Sequence, residues 1–454
     1  MRFLFLVVLS TPDMGKRHTG WMVFLLLLVV GGVGMAATGA LLYVRLIYMS
    51  ALVLLAAWVW TGISLRGVRV MRQARSLRAS VGDIFEETIE ISNSTRLPRL
   101  FLEIENESTL PQAAGSRLLT MIGSRENRTY LARTWLTRRG AFPLGPTTLR
   151  SGDPFGFFSA RKTFPATDSL LVLPLIIPLS DFPSPPGMLP GGKAIRRKAY
   201  EVTPHAAGVR EYVTGDPLKR IHWPSTARRG KLMVKEFEQD PQAELWIFLD
   251  AQLGIQSEQK SDVEQVWNDW MFIRRPKIKL AASTIEYGAC IAASLAHYFI
   301  EQRRAVGLVT NGPVYTVIPA ERSERQESKV LETLAFVSGE GQLSLASLVD
   351  LQSPQMPLGS SAVLITPSSR DDVLLAVELL QRRNLRPLVL LLMAESFGGR
   401  PGSEALADKL EQRGVAVCKI YKDADLTEAL QAFANLHKGL ENRTWQAIPL
   451  PPST

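Results

Sequence analysis

Cysteine is nearly absent from this chain of 454 residues: the two present, Cys290 and Cys418, exclude a disulfide-stapled secreted scaffold and any cysteine-cluster zinc site. A reducing compartment fits that usage. Low-complexity composition is also missing, since 46% of the residues are hydrophobic and Gly (33) and Pro (28) are only modestly high, which excludes a disordered or collagen-like chain. No internal repeat is present. No zinc-finger, helix-turn-helix or RNP-type reader motif is found, so a nucleic-acid partner is not expected. The length corresponds to roughly three units of about 150 residues.

Charge is missing over one long stretch. From Trp21 to Leu65 the only charged side chain is Arg45. A helix of 45 residues would be about 67 Å long, roughly twice a bilayer core, so the stretch predicts two spans, about 21–37 and 46–65, with a turn around Thr38, Gly39, Ala40 and Arg45. Trp21, Tyr43, Tyr48, Trp58 and Trp60 suit an interfacial aromatic belt. Lys16 and Arg17 precede the first span and Arg66, Arg69, Arg72, Arg75 and Arg78 follow the second, which places both ends in the cytoplasm and the latter arginines at anionic headgroups. Residues 1–10 lack a small-residue cleavage site and are not read as a signal peptide; Met14 offers an alternative start to Met1.

The net charge of +9 is concentrated. Those five arginines, and ten Lys/Arg against three acids in residues 193–231, carry more than all of it, so the rest is mildly acidic.

After the membrane segment, residues 66–175 read as β-structure. Strand-like runs at 78–91, 100–105, 117–122, 127–137 and 143–150 alternate with turn signals such as Gly82-Asp83, Pro111, Gly123-Ser124 and Gly140, which predicts a small β-sandwich. Pro and Gly are dense from 174 to 192, so residues 176–243 are read as a linker and loop. From 244 to 440 strands apolar on both faces alternate with helices, which predicts a Rossmann-like parallel sheet sandwiched by helices, with any ligand at the carboxyl ends of its strands. Residues 441–454 form a tail.

The most information-rich stretch carries Arg210, Glu211, Gly215, Asp216, Arg220, His222, Trp223, Ser225, Ala227, Arg228, Leu232, Val234, Glu236 and Glu238. That pattern resembles the hallmark of the bacterial family called domain of unknown function 58, and Arg138 to Pro146 and Ser151-Gly-Asp-Pro-Phe-Gly-Phe157 resemble the end of the same family's β-domain. The resemblance implies a two-helix transmembrane hairpin in the bacterial plasma membrane, carrying a β-domain and a von Willebrand factor type A-like α/β domain. It also implies partnership with a MoxR-type AAA+ ATPase and association with a transglutaminase-like membrane protein. It implies no reaction.

Asp216 and His222 with a basic neighbour could form an acid/base pair, with Ser225 or Thr226 as the nearby hydroxyl. A structural reading has Asp216 and Glu211 satisfying Arg220, Arg228 or Arg210, with Trp223 packed as an anchor. A third makes the loop a docking surface, because Arg and Trp dominate interface hot spots. Von Willebrand A domains hold a hard cation on an Asp-x-Ser-x-Ser motif after the first strand, but Asp250 is followed by Ala251, Gln252, Leu253 and Gly254. Both hydroxyls are lost and the later strand ends in Thr366-Pro367, so no metal or other cofactor is expected and Asp250 is read as a helix-capping or loop-ordering residue. Trp267, Trp270 and Arg274-Arg275-Pro276-Lys277 lie in an insertion between 255 and 282, read as covering the domain's own face or meeting a membrane or partner. These readings lead to a membrane-tethered, non-enzymatic adaptor with no catalytic residues; the alternative is an enzyme of unknown reaction built on the Asp216/His222 loop.

Overall fold

The computed structural model describes residues 19–111, 113–183, 206–213, 221–237, 244–259, 280–357 and 359–445. The chain divides into two units, residues 1–172 with 268–276, and residues 173–267 with 277–454.

The first unit opens with two apolar helices, α1 (Thr19–Thr38) and α2 (Leu41–Ser64). Gly39 takes φ +63 and its N–H returns to the Met35 carbonyl, a left-handed stop that only glycine adopts cheaply. The turn is therefore shorter than the sequence reading has it. Arg45 lies inside α2 rather than in the connection, because Leu41 to Val44 contains no breaker and arginine is itself a good helix former. The helices approach closely at glycine: a Cβ on Gly31 would lie 2.7 Å from Ile47, and one on Gly34 would enter the Tyr43 ring. Among the described residues one helix, Leu41–Ser64, is long and apolar enough to cross a membrane, and a shorter apolar stretch runs over Met22–Thr38.

Ten strands follow: β1 (Val68–Ala74), β2 (Arg78–Ser80), β3 (Ile84–Asn93), β4 (Arg99–Asn106), β5 (Arg117–Ile122), β6 (Asn127–Trp135), β7 (Gly140–Pro143), β8 (Thr147–Gly152), β9 (Ser159–Phe164) and β10 (Ser169–Leu173). They form three antiparallel sheets, ordered β1-β3-β6, β5-β4-β8-β9 and β2-β10-β7. The first two share an apolar core of Val68, Ile89, Ile91, Leu102, Ile104 and Leu149. Strand β1 takes one arginine out of the run read as a headgroup-facing flank. Its residues alternate between faces, so Arg69 is exposed while Arg72 turns inward onto Glu87.

The second unit contains a small antiparallel pair, β11 (Ala206–Glu211) and β12 (Met233–Phe237), with the short helix α3 (Trp223–Arg229) between them. The remainder alternates: β13 (Leu245–Leu249), α4 (Thr284–Glu301), β14 (Val306–Asn311), β15 (Tyr315–Glu321), α5 (Glu324–Phe336), α6 (Leu345–Gln352), β16 (Ser361–Thr366), α7 (Asp372–Arg382), β17 (Arg386–Leu392), α8 (Ser403–Gln412), β18 (Ala416–Ile420) and α9 (Leu426–Trp445). Strands β13, β14 and β16 are buried at every position, which is why they read as unbroken apolar runs. They belong to a six-stranded sheet ordered β15-β14-β13-β16-β17-β18, parallel except for β15 at one edge. Numbered within the sheet this order is 3-2-1-4-5-6, a doubly wound arrangement whose direction reverses at β13. Gly307 on β14 lets the Trp246 indole lie flat on the sheet, since a Cβ there would be 2.7 Å from the ring.

Residues 176–183, read from sequence as the start of a linker, are packed. The Ile177 N–H donates to Ser294 Oγ at 2.9 Å, and Phe182 is buried against Phe299 and Phe433. The aromatic ring, invisible to a Pro/Gly count, decides this.

Candidate functional site

Two places in the second unit concentrate polar chemistry. The first is the β11–β12 pair. Glu211 stands opposite Met233 and Arg210 opposite Val234 in its register, and the His222 N–H donates to the Met233 carbonyl at 2.7 Å. Ile221, Met233 and Val234 are buried beneath it. Helix α3 starts at His222, has Pro224 in its first turn, and ends on Gly230 at φ +66, whose N–H returns to the Thr226 carbonyl. The Thr226 hydroxyl accepts from the Met233 N–H at 3.0 Å, locking the helix to the strand. His222 Nδ1 lies 2.7 Å from Ser225 Oγ, while the Ser225 N–H donates to the His222 carbonyl. The imidazole thus closes the first helical turn.

Of the residues singled out by sequence, the structure brings His222 and Ser225 together and leaves Ala227 and Arg228 exposed. Glu211 pairs with Lys231 at 3.2 Å, a partner outside the arginines expected for it. Trp223 is corrected: it is not a packed anchor but 65% exposed, and Val213, Leu232, Arg229 and Lys231 are exposed as well. A helix of seven residues next to a turn has no second layer to bury an indole on its outer side. Gly215, Asp216, Arg220 and Glu238 lie outside the described residues, as do the side chains of Arg210 and Glu236 and the insertion with Trp267, Trp270 and Arg274.

The second place is the carboxyl end of the sheet at its switch point. Asp250 follows β13 and Thr366 ends β16, and the parallel register Leu249 to Ile365 sets them side by side. Thr366 Oγ1 donates to Asp250 Oδ2 at 2.7 Å, and the Gln252 N–H donates to Oδ1 at 3.2 Å. Thr366 Oγ1 accepts from the Ser368 N–H, and the Ser368 hydroxyl donates to Asp372 Oδ1 at 3.0 Å. Gln256 closes the crevice: its Nε2 donates to the Asp250 carbonyl while its Oε1 accepts the Thr284 hydroxyl at 2.8 Å. Asp250, Thr366 and Ser368 are all buried. Burial pushes the Asp250 carboxyl up to about 7. The Thr366 hydroxyl and the Gln252 N–H oppose that rise, the Asp372 carboxylate adds to it, and Arg370 opposes it. Asp250 does order the loop after β13. Thr366 was read only as a strand end without an acid, and Ser368, Asp372 and Gln256 are the members that sequence reading missed; nothing local marks them, because β16 neighbours β13 only after two intervening strands have gone to the other side.

Among the described residues no group of three or more His, Cys, Asp or Glu side chains could hold a metal ion. In the first unit a cavity of about 220 Å³ lies over Arg72 and Glu87. The guanidinium is already spent, on both Glu87 oxygens, Asn106 Oδ1 and the Leu144 carbonyl, so it offers no receptive charge. Cys418 is inert, its thiol pushed up to about 12 by burial.

A curated relative, the uncharacterized protein YeaD of Bacillus subtilis (strain 168), is 21% identical over 282 residues, covering 60% of this chain and 63% of that protein. The chain therefore matches less than two thirds of that relative's length. Two solved glycoside-active enzymes are similar only superficially. A GH20 exo-β-N-acetylglucosaminidase from Vibrio harveyi is 8% identical with a TM-score of 0.16, covering 85% of this chain and 67% of that one. A cycloisomaltooligosaccharide glucanotransferase from Paenibacillus sp. is 10% identical with a TM-score of 0.14, covering 77% and 52%. Likeness at that level carries no argument about fold or chemistry. The informative match is to the family described as protein of unknown function DUF58, over residues 208–266. That segment holds most of the β11–β12 pair with His222 and Trp223 and runs on through Asp250 at the switch point, and it is over this stretch that the chain is similar to the DUF58 family.

Proposed function

We propose that the chain is a membrane-tethered, non-enzymatic adaptor whose α3 surface docks a partner protein, a MoxR-type AAA+ ATPase, during assembly or activation of an envelope-associated complex. The observation that carries this is the exposure of Trp223 on a short helix, hydrogen-bonded to β12 through Thr226, that also exposes Arg228 and Arg229. An indole held out with guanidinium groups is the composition of an interface hot spot, and leaving it in water has no folding benefit. A transglutaminase-like membrane protein is a further candidate member of the complex.

In this reading α1 and α2 form a transmembrane hairpin in the bacterial plasma membrane with both chain ends cytoplasmic. Their lengths of 20 and 24 residues correspond to about 30 and 36 Å, and Leu25, Leu26, Leu52 and Leu55 are exposed, as lipid-facing side chains are. The α/β unit is von Willebrand A-like: its first strand is central, an aspartate follows it, and the switch-point crevice is closed by Gln256 in place of an ion. Affinity purification of the full-length chain from its membrane, beside Trp223→Ala and Arg228→Ala, tests the adaptor. Recovery of an AAA+ ATPase with wild type and its loss with folded variants is the expected result. The same proteins recovered with all three chains would overturn it.

A second reading, an enzyme using the His222 loop, is favoured by the 2.7 Å contact between His222 Nδ1 and Ser225 Oγ, a base within reach of a hydroxyl. It expects labelling of Ser225 by a serine-directed phosphonate, lost in His222→Ala. No labelling in the wild-type chain would sink it.

A further inference from the structure

Residues 153–158 connect β8 to β9 and have no part in the adaptor reading. Asp153 is buried and pins the loop from within: its Oδ1 accepts the Phe155 N–H at 2.8 Å and its Oδ2 accepts the Phe158 N–H at 2.6 Å. The Gly156 N–H donates to the Asp153 carbonyl, and Gly156 takes φ +75, which a side chain would strain. The outcome of this ordering is odd for a water-facing turn. Phe155 is held 60% exposed, stacked on Phe157 at 5.4 Å and 14°.

Phe157 in turn meets Phe24 of α1, with ring centroids 4.9 Å apart. On α2, Ala57, Thr61 and Ser64 are buried and the helix packs on β8 and β9, whereas Trp58 and Trp60 remain exposed. The helix pair therefore leaves the strands at about the level of Trp58, and the aromatic loop lies beside that exit. The only charge in the loop, Asp153, is consumed internally.

We propose that residues 153–158 are a third membrane contact of the chain, in which Phe155 and Phe157 enter the interfacial layer of the bilayer beside the base of the helix pair. The inference rests on the membrane-tethered reading above. The occupant is lipid rather than a protein because the loop is continuous, through Phe24, with helices on which Leu25, Leu26, Leu52 and Leu55 are exposed. Exposed aromatics at that depth match the headgroup boundary, where rings with one wet edge are stable. A rigid rather than a mobile loop is what such a contact requires, since it fixes the tilt of the β-strands against the bilayer instead of merely touching it.

The test is fluorescence quenching in the full chain reconstituted into phosphatidylethanolamine/phosphatidylglycerol vesicles with or without brominated acyl chains. A polarity-sensitive label is placed in turn at Phe155→Cys, at Leu52→Cys in α2, and at Ser124→Cys on an exposed turn of the same unit; the native cysteines are buried and stay in place. The expected result is a blue shift and loss of emission at 155 as well as at 52, with 124 unaffected. Quenching at 52 with 155 behaving like 124 overturns the loop contact and leaves the anchor standing, as it would if the loop met a protein. Absence of quenching at 52 overturns the anchored reading and the loop contact with it. Equal quenching at all three positions shows the label itself partitioning and also removes the support for the loop.

Discussion

Thr366 donates its hydroxyl to Asp250 Oδ2 at 2.7 Å, joining the ends of two neighbouring parallel strands at the point where the sheet reverses direction. The bond is the inner wall of a crevice that in open α/β sheets receives ligands. Here Gln256 bonds to the Asp250 carbonyl and to the Thr284 hydroxyl, and the Asp250–Thr366 pair latches β13 to β16.

The latch makes stability depend on pH in an unusual sense. Asp250 goes from an ordinary 3.8 to about 7 on burial, so the folded chain holds a proton that the unfolded chain has lost. The stabilisation is complete below about pH 4, declines as pH rises through 7, and is gone above it, a difference on the order of 4 kcal/mol. Hydrogen exchange over Leu245–Leu249, corrected for intrinsic rates, should show protection falling between about pH 5 and 7 and level above that. In Asp250→Asn that slope should vanish; an unchanged slope would remove Asp250 as its source.

Thr366→Val keeps the shape and removes the donor. Asp250 Oδ2 and the Ser368 N–H each lose their partner in a buried site, at a cost of about 1–3 kcal/mol. Thr366→Ser should restore most of it. Both are read from the unfolding of the α/β unit, and a loss in Thr366→Ser with none in Thr366→Val would mean that the methyl group, not the hydroxyl, matters.

How much of this was legible follows from how local each signal is. The uncharged stretch and the alternation of apolar strands and helices are written in consecutive residues, and helices and strands are found there, although α2 begins at Leu41, five residues before the start expected for the second span. Strand β1 was not, because arginines at every third position look like a polybasic flank until Glu87 is seen on the neighbouring strand. The Asp250–Thr366 pair was not, because 116 residues and a topological reversal separate its members. Trp223 was misread for an energetic reason: tryptophan is buried on average, and only the shortness of α3 shows that nothing is there to cover it.

Arg72 and Glu87 form a bidentate pair across β1 and β3 with side chains only 9% and 2% exposed. Breaking one partner leaves the other charge uncompensated, so Glu87→Leu should cost about 3–5 kcal/mol in the β-stranded unit. The double variant Arg72→Met/Glu87→Leu should recover much of that, because two apolar side chains replace the desolvated pair. Urea unfolding of that unit checks both, and a double variant as damaged as the single would show that the Arg72 bonds to Asn106 and Leu144 dominate.

The β11–β12 platform separates binding from stability. Trp223 is exposed and touches little, so Trp223→Ala should change stability by no more than about 0.5 kcal/mol. If the indole is a docking anchor, the same change should weaken partner binding by about 2 kcal/mol or more, roughly 30-fold. Met233, buried beneath α3, should behave in the opposite order: Met233→Ala costs about 2–5 kcal/mol of local stability through the cavity it leaves. Its effect on binding then follows from loss of the platform and disappears under conditions that restore folding. Binding of full-length variants to the recovered partner by interferometry, beside exchange protection of Met233–Phe237, distinguishes the two. A Trp223→Ala chain that binds as wild type while Met233→Ala does not would move the docking surface from α3 to the strand edge.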